Sequence, residues 1–205
     1  MKIRRFELPP IATNAWLVYD EARREAILFD APQTAWVVIT AGLEKLDCTL
    51  KALLLTHGHW DHIGDCARFV EAGVPVYAHP EDRVMLEHPK VQKATIDPGR
   101  IDHNLSHGSS LTLLGKTINV RHTPGHSPGS VLYYLPEQQW AISGDVVFHG
   151  SIGRTDFPSC SHDRLLQSIR EEVLTLPDAT VLHPGHGGRM TLANERETNP
   201  FLQHG

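Results

Sequence analysis

Apolar residues along this chain fall in short runs cut by turn formers, and the runs change texture along its length. Residues 2–7 and 15–19 predict two strands joined at Pro9-Pro10, and Ala26-Ile27-Leu28-Phe29 predicts a third. That third run is apolar without alternation, as expected of a strand covered on both faces. Trp36, Val37, Ile39, Ala41, Leu43 and Leu46 then supply the apolar positions of a helix over 34–46. A strand over 51–55 follows, ending in Leu53-Leu54-Leu55, then a helix from Ile63 to Glu71 closed by Gly73, then a strand at Pro75-Val76-Tyr77-Ala78. This strand–helix alternation predicts an α/β layer.

The region 79–108 is less regular, with a short helix near 81–87 and interruptions at Pro89, Pro98 and Gly99. From 109 the pattern becomes hairpin-like, with strands predicted at 109–114, 117–122, 130–135 and 139–143. A helix over 162–174 carries Leu165, Ile169 and Val173 on one stripe, with Ser161 as its N-cap. A strand at 179–182 is expected to end the core. No composition shift marks a linker, so residues 1–205 are read as one domain built of two similar halves.

Composition narrows the function. The net charge is −5, from 19 basic and 24 acidic residues, with no Lys/Arg cluster, which argues against a nucleic-acid partner and for a small metabolite. No run approaches a membrane span, and the basic start Met1 to Arg5 leads to Glu7 and Pro9-Pro10 instead of a signal-peptide core. Cys48, Cys66 and Cys160 are odd in number and widely spaced, which favours unpaired thiols and a cytoplasmic setting. The oligomeric state is not legible.

The chemistry concentrates in Thr56-His57-Gly58-His59-Trp60-Asp61-His62, where a buried strand hands over to a helix. Three imidazoles and a carboxylate in six residues suit zinc or iron better than calcium or magnesium, which prefer oxygen shells. In extended backbone residues two apart share a side, so His57, His59 and Asp61 can converge while His62 serves a second ion. Three later positions complete the set: His126 in a Pro-Gly turn, Asp145 at the strand end after Gly144, and His186 within Pro184-Gly185-His186-Gly187. His122 and His183 compete with His126 and His186 but sit on the strand side of their turns. Asp30, in Asp30-Ala31-Pro32, is read as a turn residue. Seven ligands fit two four- to five-coordinate ions sharing a bridging carboxylate and a bridging water.

With these motifs in place, the chain resembles the metallo-β-lactamase superfamily: H-x-H-x-D-H, the turn from His122 to Gly129, the Gly144-Asp145 strand end, and Pro184 to Gly187. The segment from Gly144 to Phe157 and the tail Glu197-Thr198-Asn199-Pro200-Phe201 resemble the short proteins of the glyoxalase II branch, also called hydroxyacylglutathione hydrolases. The resemblance implies a four-layer αβ/βα sandwich. It implies that His57, His59 and His126 hold one metal, that Asp61, His62 and His186 hold another, and that Asp145 bridges them. The cofactors implied are two divalent ions, zinc first, with iron or manganese as alternatives. The implied activity is thioester hydrolysis by a metal-bridging hydroxide on a substrate of the S-lactoylglutathione type, with Asp61 orienting that hydroxide and accepting its proton. Full-length glyoxalase II adds a helical C-terminal region that helps grip glutathione, and no counterpart follows Phe201.

Arg154 and Asp156 are read as an internal ion pair steadying their loop, and Arg189 as a weaker candidate for an anionic substrate group. His88, His103 and His107 are expected to be exposed or to form a lid. Persulfide dioxygenases of the same superfamily share a G-R-T-D-F segment like that at 153–157 and use one iron on the equivalents of His57, His126 and Asp145. That alternative stays open, as does a lactonase. A β-lactamase is disfavoured because Asp145 stands where those enzymes carry cysteine or serine, and flavodiiron chemistry because a glutamate is expected where His59 stands.

Overall fold

A computed structural model describes residues 1–89 and 95–203. The first half contains β1 (Lys2–Leu8), β2 (Thr13–Asp20), β3 (Glu25–Phe29), α1 (Ala35–Leu46), β4 (Thr49–Leu54), α2 (Cys66–Glu71), β5 (Val76–Ala78), a 3₁₀ turn (Pro80–Asp82), α3 (Arg83–Glu87) and β6 (His103–Asn104). The second contains β7 (Ser110–Leu113), β8 (Lys116–His122), β9 (Val131–Leu135), β10 (Trp140–Gly144), β11 (Val147–Phe148), β12 (Ser151–Ile152), α4 (His162–Ser168), a wider π turn (Ile169–Val173), β13 (Val181–Pro184), β14 (Met190–Thr191) and α5 (Leu192–Thr198).

Two six-stranded sheets form, ordered β1-β2-β3-β4-β5-β6 and β14-β13-β10-β9-β8-β7, with β11 and β12 as a separate hairpin. Strands β3, β4, β5 and β6 run parallel to one another, as does β10 to β13, and the remaining pairings, β2 with β3 included, are antiparallel. The apolar runs are explained by the pleat. In β2, Trp16 and Val18 face the second sheet while Leu17 and Tyr19 face the helices. Ile27 and Phe29 likewise point inward from β3, and Leu28 outward. In β9, Val131, Tyr133 and Leu135 fill the inter-sheet core, and Leu132 and Tyr134 pack under the second set of helices. Both faces of each central strand are thus buried, and three apolar layers separate helix, sheet, sheet and helix. This is the α/β four-layer sandwich that the resemblance implies.

Two expectations are corrected. The helix begins at Cys66, not Ile63, because residues 61–65 are docked on the turn after β3. Ala31 N donates to His62 O at 2.8 Å, Asp65 N donates to Ala31 O at 2.9 Å, and a Cβ on Gly64 would come within 2.6 Å of Gln33 N. The core also does not end at 182. Met190, Leu192 and Leu202 bury against the second sheet, and α5 adds a buried carboxylate, Glu195. The stripe of Leu165, Ile169 and Val173 and the Ser161 cap stand as expected, although the last turns are π-type.

Candidate metal centre

The seven side chains singled out in the sequence meet at one edge of the sandwich, where strand ends deliver them on loops. His57 and His59 leave β4, His126 sits between β8 and β9, Asp145 follows β10, and His186 follows β13. His59 Nδ1 and His126 Nε2 face each other at 2.8 Å, and both lie with His57 in one group whose ligand-type atoms are within 4.8 Å of one another. Asp61, His62 and His186 form a second such group, with His62 Nε2 and His186 Nε2 each 3.3 Å from Asp61 Oδ2. Asp145 lies between them, 3.3 Å from His126 Nε2, 3.4 Å from His62 Nε2 and 3.6 Å from His186 Nε2.

One geometric expectation fails. His57, His59 and Asp61 do not share a side, because alternation holds only in extended backbone and residues 60–63 are in turns. Asp61 joins His62 instead. His122 and His183 stay outside the site. His122 stacks on His79 at 3.9 Å and donates Nε2–H to Pro128 O at 2.8 Å; His183 is buried against Trp16. Burial beside Arg189 pulls His183 down to about 3.

Surrounding oxygens assign the imidazole tautomers. His126 Nδ1–H donates to Arg154 O at 2.8 Å, and His62 Nδ1–H donates to Asp30 Oδ2 at 2.8 Å. Thr56 Oγ1 donates to Asp30 Oδ2, so His57 Nδ1–H donates to Thr56 Oγ1, 3.1 Å away. Each ring therefore turns an Nε2 lone pair inward. Among the described residues, His57 Nε2, His62 Nε2 and Asp145 Oδ1 are buried without hydrogen-bond partners. Buried groups are normally satisfied, so inward lone pairs beside ionised carboxylates fit cations.

Electrostatics agree. Burial and the neighbouring imidazoles push His57 well below the ordinary histidine range and His59 down to about 4. Burial opposes charge on Asp61, yet His62 and hydrogen bonds from His186 and Thr13 hold it ionised. Asp145 is held ionised against burial mainly by His62. Burial likewise opposes charge on His62, but Asp61, Asp145 and Asp30 raise it well above its usual value: the pocket favours positive charge at its centre.

Sequence reasoning missed four supporting residues. Asp30 is not a simple turn residue: its side chain accepts from Thr56 N at 2.7 Å, from Thr56 Oγ1 and from His62, and so orients the ligand loop. Only its place at a strand end, beside the ligand-bearing strand, hinted at this. Thr13 Oγ1 donates to Asp61 Oδ2 at 2.8 Å. Asn14 N donates to Gly185 O at 2.7 Å, Asn14 Nδ2 donates to the carbonyls of Pro184 and Gly187, and Trp16 Nε1 also donates to Pro184 O. These contacts suspend the His186 loop from β2 of the opposite sheet.

Arg154 pairs with Asp156 through two contacts of 3.0 and 2.7 Å and lies over Phe157, as its internal role predicts. Phe157 edges His59 with ring centroids 5.6 Å apart. A mainly apolar cleft of about 230 Å³ opens beside His59, walled by Trp60, Val84, Met85 and His88. His103 stacks on Tyr77, and His107 lies 3.8 Å from Glu172.

Comparison with known proteins identifies a family. The family model of the metallo-beta-lactamase superfamily matches residues 8–186. The hydroxyacylglutathione hydrolase GloC of Haemophilus influenzae is 34% identical, with 98% of each chain covered. A crystal structure of the BLEG-1 B3 metallo-beta-lactamase is 41% identical with a TM-score of 0.91, covering 98% of this chain and 99% of that one. TTHA1623 in a di-iron-bound form is 37% identical with a TM-score of 0.86, covering 97% and 100%. On its fold, its converging histidines and carboxylates, and these matches, this chain belongs to the metallo-beta-lactamase superfamily.

Proposed function

We propose that this chain is a dinuclear metal-dependent hydrolase that cleaves a thioester of the S-lactoylglutathione type. His57, His59 and His126 would hold one divalent ion, Asp61, His62 and His186 the other, with Asp145 as the shared ligand. Zinc is the first expectation; TTHA1623 binds two irons, so iron stands beside it. The observation that carries the reading is the placement of Asp145 within 3.6 Å of histidine nitrogens from both groups.

When bound, such a pair supplies a water acidified towards hydroxide near neutral pH and a charge that polarises an acyl oxygen. The chain's own groups do the rest. Thr13 anchors Oδ2 of Asp61, and we assign the other oxygen of that carboxylate to orient the attacking water and accept its proton. The cleft beside His59 offers an apolar wall to the acyl or thiol portion and shields the carbonyl from bulk water. A thiol leaving group, with pKa about 8.5, departs with little need of a proton donor. The similarity to GloC supports a hydroxyacyl thioester. Three unpaired cysteines favour a cytoplasmic setting, and among the described residues no helix is long and apolar enough to cross a membrane.

The second reading is a persulfide dioxygenase with one iron on His57, His126 and Asp145, because Asp145 approaches His126 and groups with His57. One experiment separates them. Protein purified without added metal is analysed for zinc and iron, then assayed for thiol release from S-lactoylglutathione and oxygen uptake with glutathione persulfide. A simple lactone and, given the similarity to BLEG-1, a penicillin complete the panel. Thiol release with two ions per chain is expected. Oxygen uptake with one iron per chain overturns the hydrolase reading; ring opening without thioester cleavage reassigns the substrate.

A further inference from the structure

Among the described residues Asp82 belongs to no ligand set, yet it is buried to 1% exposure between two of the loops that carry them. It ends the 3₁₀ turn after β5, and its carboxylate accepts three hydrogen bonds. Gly58 N, between His57 and His59, donates to Oδ2 at 2.8 Å. Ser127 Oγ, next to His126, donates to the same oxygen at 2.6 Å. Gly129 N donates to Oδ1 at 2.7 Å. Both loops present glycine to it: a Cβ on Gly58 would come within 2.9 Å of Asp82 Cβ, and one on Gly129 within 2.7 Å of its Cγ.

We infer that Asp82 is a positioning residue for the first metal, tying the His57–His59 segment to the His126 turn so that three imidazoles converge on one point. The inference rests on the ligand assignment proposed above. Its selectivity follows from the contacts. Among the described residues all three donors to Asp82 flank ligands of the first ion, His57, His59 and His126, whereas Asp61, His62 and His186 are braced by Asp30, Thr13 and Asn14. A carboxylate serves both loops because it only accepts. An amide of the same shape must turn an N–H₂ towards one of them, where a donor already points.

The test is zinc affinity by competition with a chromophoric chelator, compared among wild type, D82N, S127A and H186A. H186A removes a ligand of the second ion and so marks which affinity belongs to which site. D82N is expected to weaken the first ion by about 10- to 100-fold and leave the second within a fewfold, the range typical of groups that orient metal ligands. S127A, which keeps both backbone contacts, should shift the same site by less; it carries the test if D82N does not fold. Unchanged affinity at the first site in D82N, or in S127A where that alone folds, overturns the inference. So does equal weakening of both ions with a parallel fall in melting temperature. If wild type holds no ion, or H186A loses none, the ligand assignment fails as well; if wild type holds two and D82N holds them equally well, only the role of Asp82 falls.

Discussion

Asp30 and His62 are joined through Oδ2 and Nδ1 at 2.8 Å, and neither side chain reaches solvent. This contact links the end of β3 to the ligand loop and leaves the Nε2 lone pair of His62 facing Asp61 and Asp145. In D30A, His62 loses its orienting acceptor and Thr56 loses two contacts. Affinity for the second ion is expected to fall about 10- to 100-fold, read by metal competition.

Metal removal should destabilise the fold, because it leaves buried lone pairs on His57 and His62 and a buried oxygen on Asp145 without partners. Ions binding only the folded chain add about 2.7 kcal/mol at a free concentration one hundred times the Kd. For a chain of this size that is roughly 5–10 °C in Tm. Chelation should remove it and added zinc restore it; a melting curve indifferent to both contradicts a bound pair.

Gly185 should tolerate no side chain. A Cβ there would lie 2.1 Å from Asp145 Oδ1 and 2.6 Å from His62 Cε1, whereas one on Gly188 would meet nothing within 4 Å. G185A is expected to lose metal and about 1–3 kcal/mol of stability, the usual cost of overpacking. G188A serves as its neighbour control in the same denaturation and metal measurements.

Glu195 should make stability pH-dependent. Burial opposes its charge, but donors from Gly150, His149, Asn199 and Asn194 hold its pKa below the usual glutamate value. A carboxyl depressed in the folded state stabilises above its unfolded pKa of about 4.3, and that gain is lost as pH falls through the folded value. E195Q should therefore be less stable than wild type by about 1–3 kcal/mol near neutrality, with the gap narrowing below about pH 4 in urea titrations.

The α/β layer was readable because its central strands are apolar on consecutive residues, as at Leu53-Leu54-Leu55, and burial on both faces explains them; the four-layer stacking came from the family resemblance. The ligand loop was readable because His57, His59, Asp61 and His62 crowd into six residues; Asp145 and His186 because each stands beside glycine at a strand end. The pairing of Asp61 with His62 came from the resemblance alone, since alternation presumes a straight backbone that the turn at 60–63 denies. Asp30, Thr13 and Asn14 were silent for another reason. A buried polar residue is chosen by partners far away in sequence, and none of its neighbours records which ones. Helix α5 escaped because Glu195 faces inward, satisfied by a hairpin 45 residues earlier.

The carbonyls of Pro184, Gly185 and Gly187 all receive donors from β2, so His186 hangs from one sheet while its chain threads the other. A slip of one sheet across its partner would pull this histidine away from Asp145. The seat of His186 is thus a ruler for the register of the sandwich, and any ion held between ligands of the two sheets would rivet its halves together.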